Sequence, residues 1–266
     1  MRGETSSAWI SARDIVYSAK QPDGSYARIL KKAGITANKA EVTGIIGKNG
    51  SGKTSLLKAI AALVPFEGGI SVGGVDVRSA HPRRLAKELA FMRQNPSVAF
   101  SFTAKEVVAM GRYPWRGSFS SESSIDRRET YAAMELAQCL EYADKPAVTL
   151  SGGELQRVML ARCIAQQTPV MLLDEPASSL DIYHARRVFE LCRFLAEQGK
   201  CIVCALHDLR QAARFCSTLY LIDDGEIIAG GKPEEVLSRE NIKKAFGVTA
   251  GIYKNPAGEW DYYTEK

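Results

Sequence analysis

Gly47-Lys48-Asn49-Gly50-Ser51-Gly52-Lys53-Thr54, followed by Ser55, has the spacing G-x-x-x-x-G-K-[ST] of a phosphate-binding P-loop. Before it runs Glu41-Val42-Thr43-Gly44-Ile45-Ile46, apolar and β-branched, which reads as a buried strand. After it, Thr54 to Leu63 has helical spacing and good helix formers. A strand–loop–helix setting is the context this motif requires. Gly47, Gly50 and Gly52 let the backbone curl, so that its N–H groups converge on phosphate oxygens. The helix beginning near Thr54 adds its N-terminal dipole. Lys53 is placed to reach β- and γ-phosphates, and the Thr54 hydroxyl to ligate Mg²⁺. The expected nucleotide contacts are therefore Gly47, Lys48, Asn49, Gly50, Ser51, Gly52, Lys53, Thr54 and Ser55.

Working outward, the chain of 266 residues is long enough for one large domain or two small ones. Its composition is that of a globular protein, 45% hydrophobic and 24% charged. A net charge of +5 is too small to argue for nucleic acid, and is compatible with work beside an anionic membrane face. No apolar run approaches the ~20 residues of a membrane helix. Met1-Arg2-Gly3-Glu4-Thr5-Ser6-Ser7 has no signal-peptide core, so a soluble cytosolic protein is expected. Cys139, Cys163, Cys192 and Cys216 read as small core residues. Cys201-Ile202-Val203-Cys204 has redox-motif spacing but lies in a strand-like run, where a structural role is expected.

A first strand at Ser11 to Tyr17 is followed by a turn at Gln21-Pro22-Asp23-Gly24-Ser25 and a returning strand, Tyr26 to Ala37. Strand and turn residues recur at Gly68 to Val77, a helix at Leu85 to Leu89, and a short strand at Ala90-Phe91-Met92. From about Asn95 to Leu150 aliphatic strands disappear. Helices are expected at Thr103 to Met110 and Ser124 to Gln138, joined by a loop from Gly111 to Ser118. Alternation then resumes: helix Gly152 to Gln166, strand Pro169 to Asp174, helix Asp181 to Gln198, strand Cys201 to Leu206, helix Asp208 to Phe215. A hairpin about Asp223-Asp224-Gly225, two short helices and an irregular tail complete the chain.

Leu172-Leu173-Asp174-Glu175-Pro176 sets two acids just past an apolar strand, the end that faces the ligand crevice in an open parallel sheet. Asp174 suits Mg²⁺, and Glu175 suits orienting or deprotonating a water. His207 follows another apolar strand and is expected at the γ-phosphate; His81 and His184 read as surface residues. Gln94, at the edge of the helical stretch, can ligate Mg²⁺ or its water through its carbonyl. Leu150-Ser151-Gly152-Gly153-Glu154 opens a helix with a capping box between Ser151 and Glu154. Its two glycines also suit close approach of backbone to a phosphate.

The order P-loop, Gln94, Leu150-Ser151-Gly152-Gly153-Glu154, Asp174-Glu175, Ser179-Leu180-Asp181, His207 resembles the nucleotide-binding subunits of ATP-binding cassette (ABC) transporters. The resemblance covers almost the whole chain; Glu154 stands where many members have glutamine. It implies an α/β fold, a P-loop NTPase (RecA-like) core with an antiparallel β subdomain and an inserted α-helical subdomain. As one domain over 1–266, the core with its β subdomain would take 1–94 and 151–240, the helical subdomain 95–150 and a C-terminal tail 241–266. It implies ATP and Mg²⁺, with Thr54, Gln94 and Asp174 at the metal and Lys53, Gln94, Glu175 and His207 in catalysis. Tyr17, or alternatively Tyr26, would stack on adenine. The partner is a second copy, head to tail, whose Ser151, Gly152 and Gly153 complete the nucleotide site, with Glu154 and Asp181 further residues expected at the nucleotide. Phe102 to Pro114, with Asn241 to Val248, is similar to ATPases of importers for iron–siderophore complexes, haem and cobalamin. That implies a dimeric integral-membrane permease, indirectly a substrate-binding protein, no nucleic acid, and a peripheral place on the cytoplasmic face of the plasma (inner) membrane.

Other readings remain. Another transporter class keeps the ATPase and changes the cargo. A soluble non-transport cassette should carry a coiled-coil insertion or a second cassette. A small-molecule P-loop kinase should lack Ser151-Gly152-Gly153, and a non-hydrolysing regulatory cassette should lack one of Lys53, Asp174, Glu175 or His207.

Overall fold

The computed structural model describes residues 8–94, 101–117, 121–256, 258 and 260–264. Met1–Ser7, the first residues of the helical stretch at Asn95 and the loop end at Ser118 lie outside them. Strands β1 (Ile10–Lys20) and β2 (Tyr26–Ala37) form the expected hairpin, its turn closed by the Asp23 carboxylate accepting from the Ser25 N–H at 2.9 Å. Bulges break the alternation of the pair, with Asp14 and Lys32 at positive φ, which is why the second strand has an imperfect pattern. Then come β3 (Glu41–Ile46), the P-loop and α1 (Lys53–Ile60). β4 (Glu67–Val72), β5 (Val75–Asp76), α2 (Pro82–Glu88) and β6 (Leu89–Met92) follow.

Between β6 and the next strand the described elements are helices: α3 (Ala104–Ala109), a 3-10 helix (Met110–Trp115), α4 (Ser124–Leu136), two single 3-10 turns (Leu140–Tyr142 and Ala147–Thr149) and α5 (Gly152–Ala165). The α/β pattern returns with β7 (Val170–Asp174), α6 (Ile182–Glu197), β8 (Cys201–Leu206), α7 (Leu209–Phe215), β9 (Thr218–Asp223) and β10 (Glu226–Gly231). Helices α8 (Pro233–Val236) and α9 (Arg239–Phe246) precede a hairpin of β11 (Ala250–Lys254) and β12 (Trp260–Thr264).

A six-stranded sheet, order β10-β9-β3-β8-β7-β6, is parallel except at β10; a four-stranded antiparallel sheet runs β2-β1-β4-β5. The central strands are buried on both faces, so they read as unbroken apolar runs. Successive residues serve opposite cores. Met171, Leu173, Ile202 and Cys204 face the helical side, while Val170, Leu172, Cys201 and Val203 face α1 and the antiparallel sheet.

Two expectations are corrected. The loop expected from Gly111 is a 3-10 helix, because it packs on α5 rather than spanning solvent: a Cβ at Gly111 would lie 2.3 Å from the Arg162 carbonyl oxygen. The tail expected to be irregular is a hairpin, held by partners on α7, with Arg210 Nε donating to Asp261 at 2.7 Å and Arg214 Nε to the Trp260 carbonyl at 2.9 Å. All six cysteines are free and buried; burial pushes the Cys201 thiol up to about 12, the opposite of a redox-active thiol. Among the described residues no helix is long and apolar enough to cross a membrane.

Candidate functional site

Three parallel strands end together. Ile46 of β3 pairs with Leu206 of β8, and Ala205 of β8 with Asp174 of β7. The residues that follow, Gly47, Glu175 and His207, therefore emerge along one edge of the sheet, as the crevice rule for open parallel sheets requires.

The P-loop closes tightly over that edge. Gly52 sits at φ 111°, a conformation L side chains avoid, and a Cβ at Gly47 would lie 2.2 Å from the Ile222 carbonyl oxygen. Lys53 folds back over the loop, Nζ donating to the carbonyls of Gly47 at 2.7 Å and Lys48 at 3.0 Å. Burial lowers its pKa, against the pull of Glu175 and Asp174. An ammonium held by two carbonyls in a buried nest is poised for an anion.

The Thr54 hydroxyl donates to Asp174 Oδ1 at 3.0 Å. Asp174 is 1% exposed; burial raises its pKa, the Thr54 bond opposes the shift and neighbouring Glu175 adds to it. Beside them Gln94 Nε2 donates to Glu175 Oε2 at 2.7 Å, and His207 Nδ1 lies 3.7 Å from the same oxygen. Glu175 has φ 49°, the left-handed region, and its N–H donates to the Ala205 carbonyl at 3.1 Å. A hydroxyl, a buried carboxylate and an amide are hard oxygen donors. They fit Mg²⁺, with phosphate and water filling the remaining positions.

Lys53, Thr54, Gln94, Glu175 and His207 line one cleft of about 820 Å³ with Asn49, Gly50, Gly52, Ser55 and Tyr17, while buried Asp174 lies behind Thr54 and does not line it. Tyr17 is half-buried on its wall, whereas Tyr26 is 70% exposed and does not line it. Gly47, Lys48 and Ser51 shape the loop without lining the cleft. Ser51 is buried, its carbonyl accepting from the Gly225 N–H at 3.0 Å.

Ser151, Gly152, Gly153, Glu154 and Asp181 are not brought into this cleft. Ser151 and Gly152 are exposed at the N-terminus of α5, where the capping box forms: the Ser151 N–H donates to Glu154 Oε2 at 2.7 Å. Asp181 caps α6, accepting from the His184 N–H at 2.8 Å. His81 is exposed and caps α2 through Nδ1. Sequence reasoning missed Gln156, whose Nε2 donates to the Glu175 carbonyl at 2.9 Å and whose Oε1 accepts from the Ser179 N–H at 2.9 Å. Its signal was available: a glutamine on the apolar stripe it shares with Met159, Leu160 and Cys163. Ser178, which also lines the cleft, was missed as well.

A P-loop at the strand ends, a carboxylate pair after β7 and a glycine-bearing helix start that faces solvent define a nucleotide-binding cassette. Residues 30–178 match the ABC transporter family model, and the chain belongs to that family. The haemin import ATP-binding protein HmuV of Nocardia farcinica is 35% identical over 256 residues, 96% of this chain and 87% of that protein. The cobalamin import ATP-binding protein BtuD of Halobacterium salinarum is 38% identical over 235 residues, 86% of this chain. The chain spans only 58% of that relative's length. Among solved structures, an inward-facing transporter described as of metal-chelate type superposes at TM-score 0.81 with 22% identity, covering 97% of each chain. The dimeric cassette MJ0796 bound to ADP and Pi superposes at 0.77 with 24% identity, covering 84% of this chain and 98% of that one. At these identities the two share the fold.

Proposed function

We propose that the chain is the ATP-hydrolysing subunit of an importer for a metal chelate, an iron–siderophore complex, haem or cobalamin, driving a separate membrane permease that receives its cargo from a substrate-binding protein. The observation that carries the reading is that Lys53, Thr54, Gln94, Glu175 and His207 line one cleft while Ser151 and Gly152 are exposed outside it. A head-to-tail pair of copies supplies each cleft with the missing helix N-terminus. In this reading residues 95–150 form a helical unit inserted in the core, through which closure reaches the permease at the cytoplasmic face of the membrane. The names of the two relatives support importer work; the cargo rests on them and on the Phe102 to Pro114 resemblance.

Lys53 exchanges its two carbonyls for the β- and γ-phosphates. Tyr17 packs on the base. Thr54, Gln94 and Asp174 would hold Mg²⁺, which when bound would neutralise charge that develops on the phosphates. Glu175, steadied by Gln94, orients a water and takes its proton. The water oxygen bonds to the γ-phosphorus as the bond to the β–γ bridging oxygen breaks. ADP leaves with that oxygen, and phosphate carries the new one. His207 contacts the γ-phosphate from the end of β8. Closure excludes water and strengthens every charge contact in the site.

The test is uptake. Deleting the gene in its native host should abolish accumulation of one labelled chelate among the three, restored by the wild-type gene and not by Glu175→Gln. Unchanged uptake of all three in the deletion strain overturns the assignment of cargo.

A further inference from the structure

We propose that Gln156 is a positioning residue that fixes the backbone of Glu175 from the helix carrying Ser151-Gly152-Gly153; the inference rests on the hydrolytic reading above. Gln156 is 2% exposed, and among the described residues the polar contacts of its side chain go to the loop after β7. Nε2 donates to the Glu175 carbonyl at 2.9 Å and to Ser178 Oγ at 3.4 Å, while Oε1 accepts from the Ser179 N–H at 2.9 Å. Donor and acceptor ends are both used, which an amide of this length allows and neither a carboxylate nor an apolar side chain does.

The loop needs such a tie. Glu175 lies at φ 49°, which a non-glycine residue adopts only where its surroundings enforce it. Its N–H is held by the Ala205 carbonyl of β8, and its carbonyl by the Ser178 N–H of its own loop at 3.2 Å and, more closely, by Gln156 of α5 at 2.9 Å. The first turn of α5 also packs on the same loop. A Cβ at Gly153 would lie 3.1 Å from the Ser179 carbonyl oxygen, so glycine there serves internal packing as well as any phosphate. Gln156 stands five residues after Ser151, about 7.5 Å along the helix. A displacement of α5 driven at its exposed end therefore reaches Glu175 of the same subunit.

Gln156 touches no reacting atom, so its effect should pass wholly through Glu175. The experiment is a double-mutant cycle on the full chain with Gln156→Met and Glu175→Gln, following Mg-ATP turnover, binding of a fluorescent ATP analogue and thermal unfolding. Gln156→Met should fold and bind the analogue within about twofold of wild type, with kcat lowered at least tenfold. The double variant should turn over as slowly as Glu175→Gln alone. Unchanged kcat in Gln156→Met, or effects that multiply in the double variant, overturn the proposal. Should Gln156→Met fail to fold, Gln156→Glu, which keeps the acceptor for Ser179 and opposes the Glu175 carbonyl, carries the same cycle with the same criteria. Absence of turnover in the unaltered chain instead sinks the hydrolytic reading itself.

Discussion

Asp174 shows how the site trades stability for chemistry. Burial, with Glu175 alongside, raises its folded-state pKa above the unfolded value. The stabilising difference is thus present at low pH and lost as pH rises through the folded pKa, so at neutral pH ionised Asp174 is a net cost. Asp174→Asn keeps an oxygen for Thr54 and removes that cost. The nucleotide-free variant should melt higher at pH 7.5. The two melting curves should converge toward acid pH; a lower Tm at pH 7.5 contradicts the argument. Lys53→Ala should weaken Mg-ATP binding about tenfold or more by titration, since the nest loses its one deeply placed cation; equal affinity removes Lys53 from the site. Lys53, Thr54, Asp174, Glu175 and His207 were legible in sequence because each stands at a fixed offset from a strand end. Gln156 and the left-handed Glu175 were not, since both depend on α5 lying against a loop 19 residues away in sequence.

Among the elements, α5 and the 3-10 helix before α4 each carry a local interaction that can be tested by itself. Ser151→Ala removes a cap and should cost about 1 kcal/mol by urea denaturation, whatever it does to turnover. The buried pair is more exacting. Arg112 Nε donates to Asp126 at 3.0 Å and Nη1 to the Ala165 carbonyl at 2.8 Å, joining the 3-10 helix, α4 and the C-terminal end of α5. Arg112→Met leaves the Asp126 carboxylate with Ser123 at 2.8 Å and Arg116 at 3.5 Å, and should cost about 1–3 kcal/mol in the same assay; no loss denies the pair its structural role. The sequence showed Gly111 and Pro114 and so read as loop. The glycine is there for close approach to Arg162, a contact 51 positions away that local pattern cannot carry. The C-terminal hairpin was illegible for the same reason, its anchors lying on α7.

Across the whole molecule, one buried parallel sheet feeds two cores and presents its functional groups along a single edge. That much followed from the order of apolar runs and the residues ending them. The start of α5 is exposed and does not line the cleft, so in the proposed head-to-tail pair it would be free to complete the site of the other copy. Glu175→Gln should bind Mg-ATP and hydrolyse it about 10²- to 10⁴-fold more slowly, so the closed pair should accumulate. The decisive measurement is the structure and solution mass of that variant with Mg-ATP. The account predicts a mass twice that of one chain, with Ser151 and Gly153 of each copy against the terminal phosphate held by the other's Lys53. A mass of one chain at saturating Mg-ATP, with both residues facing bulk solvent, contradicts it.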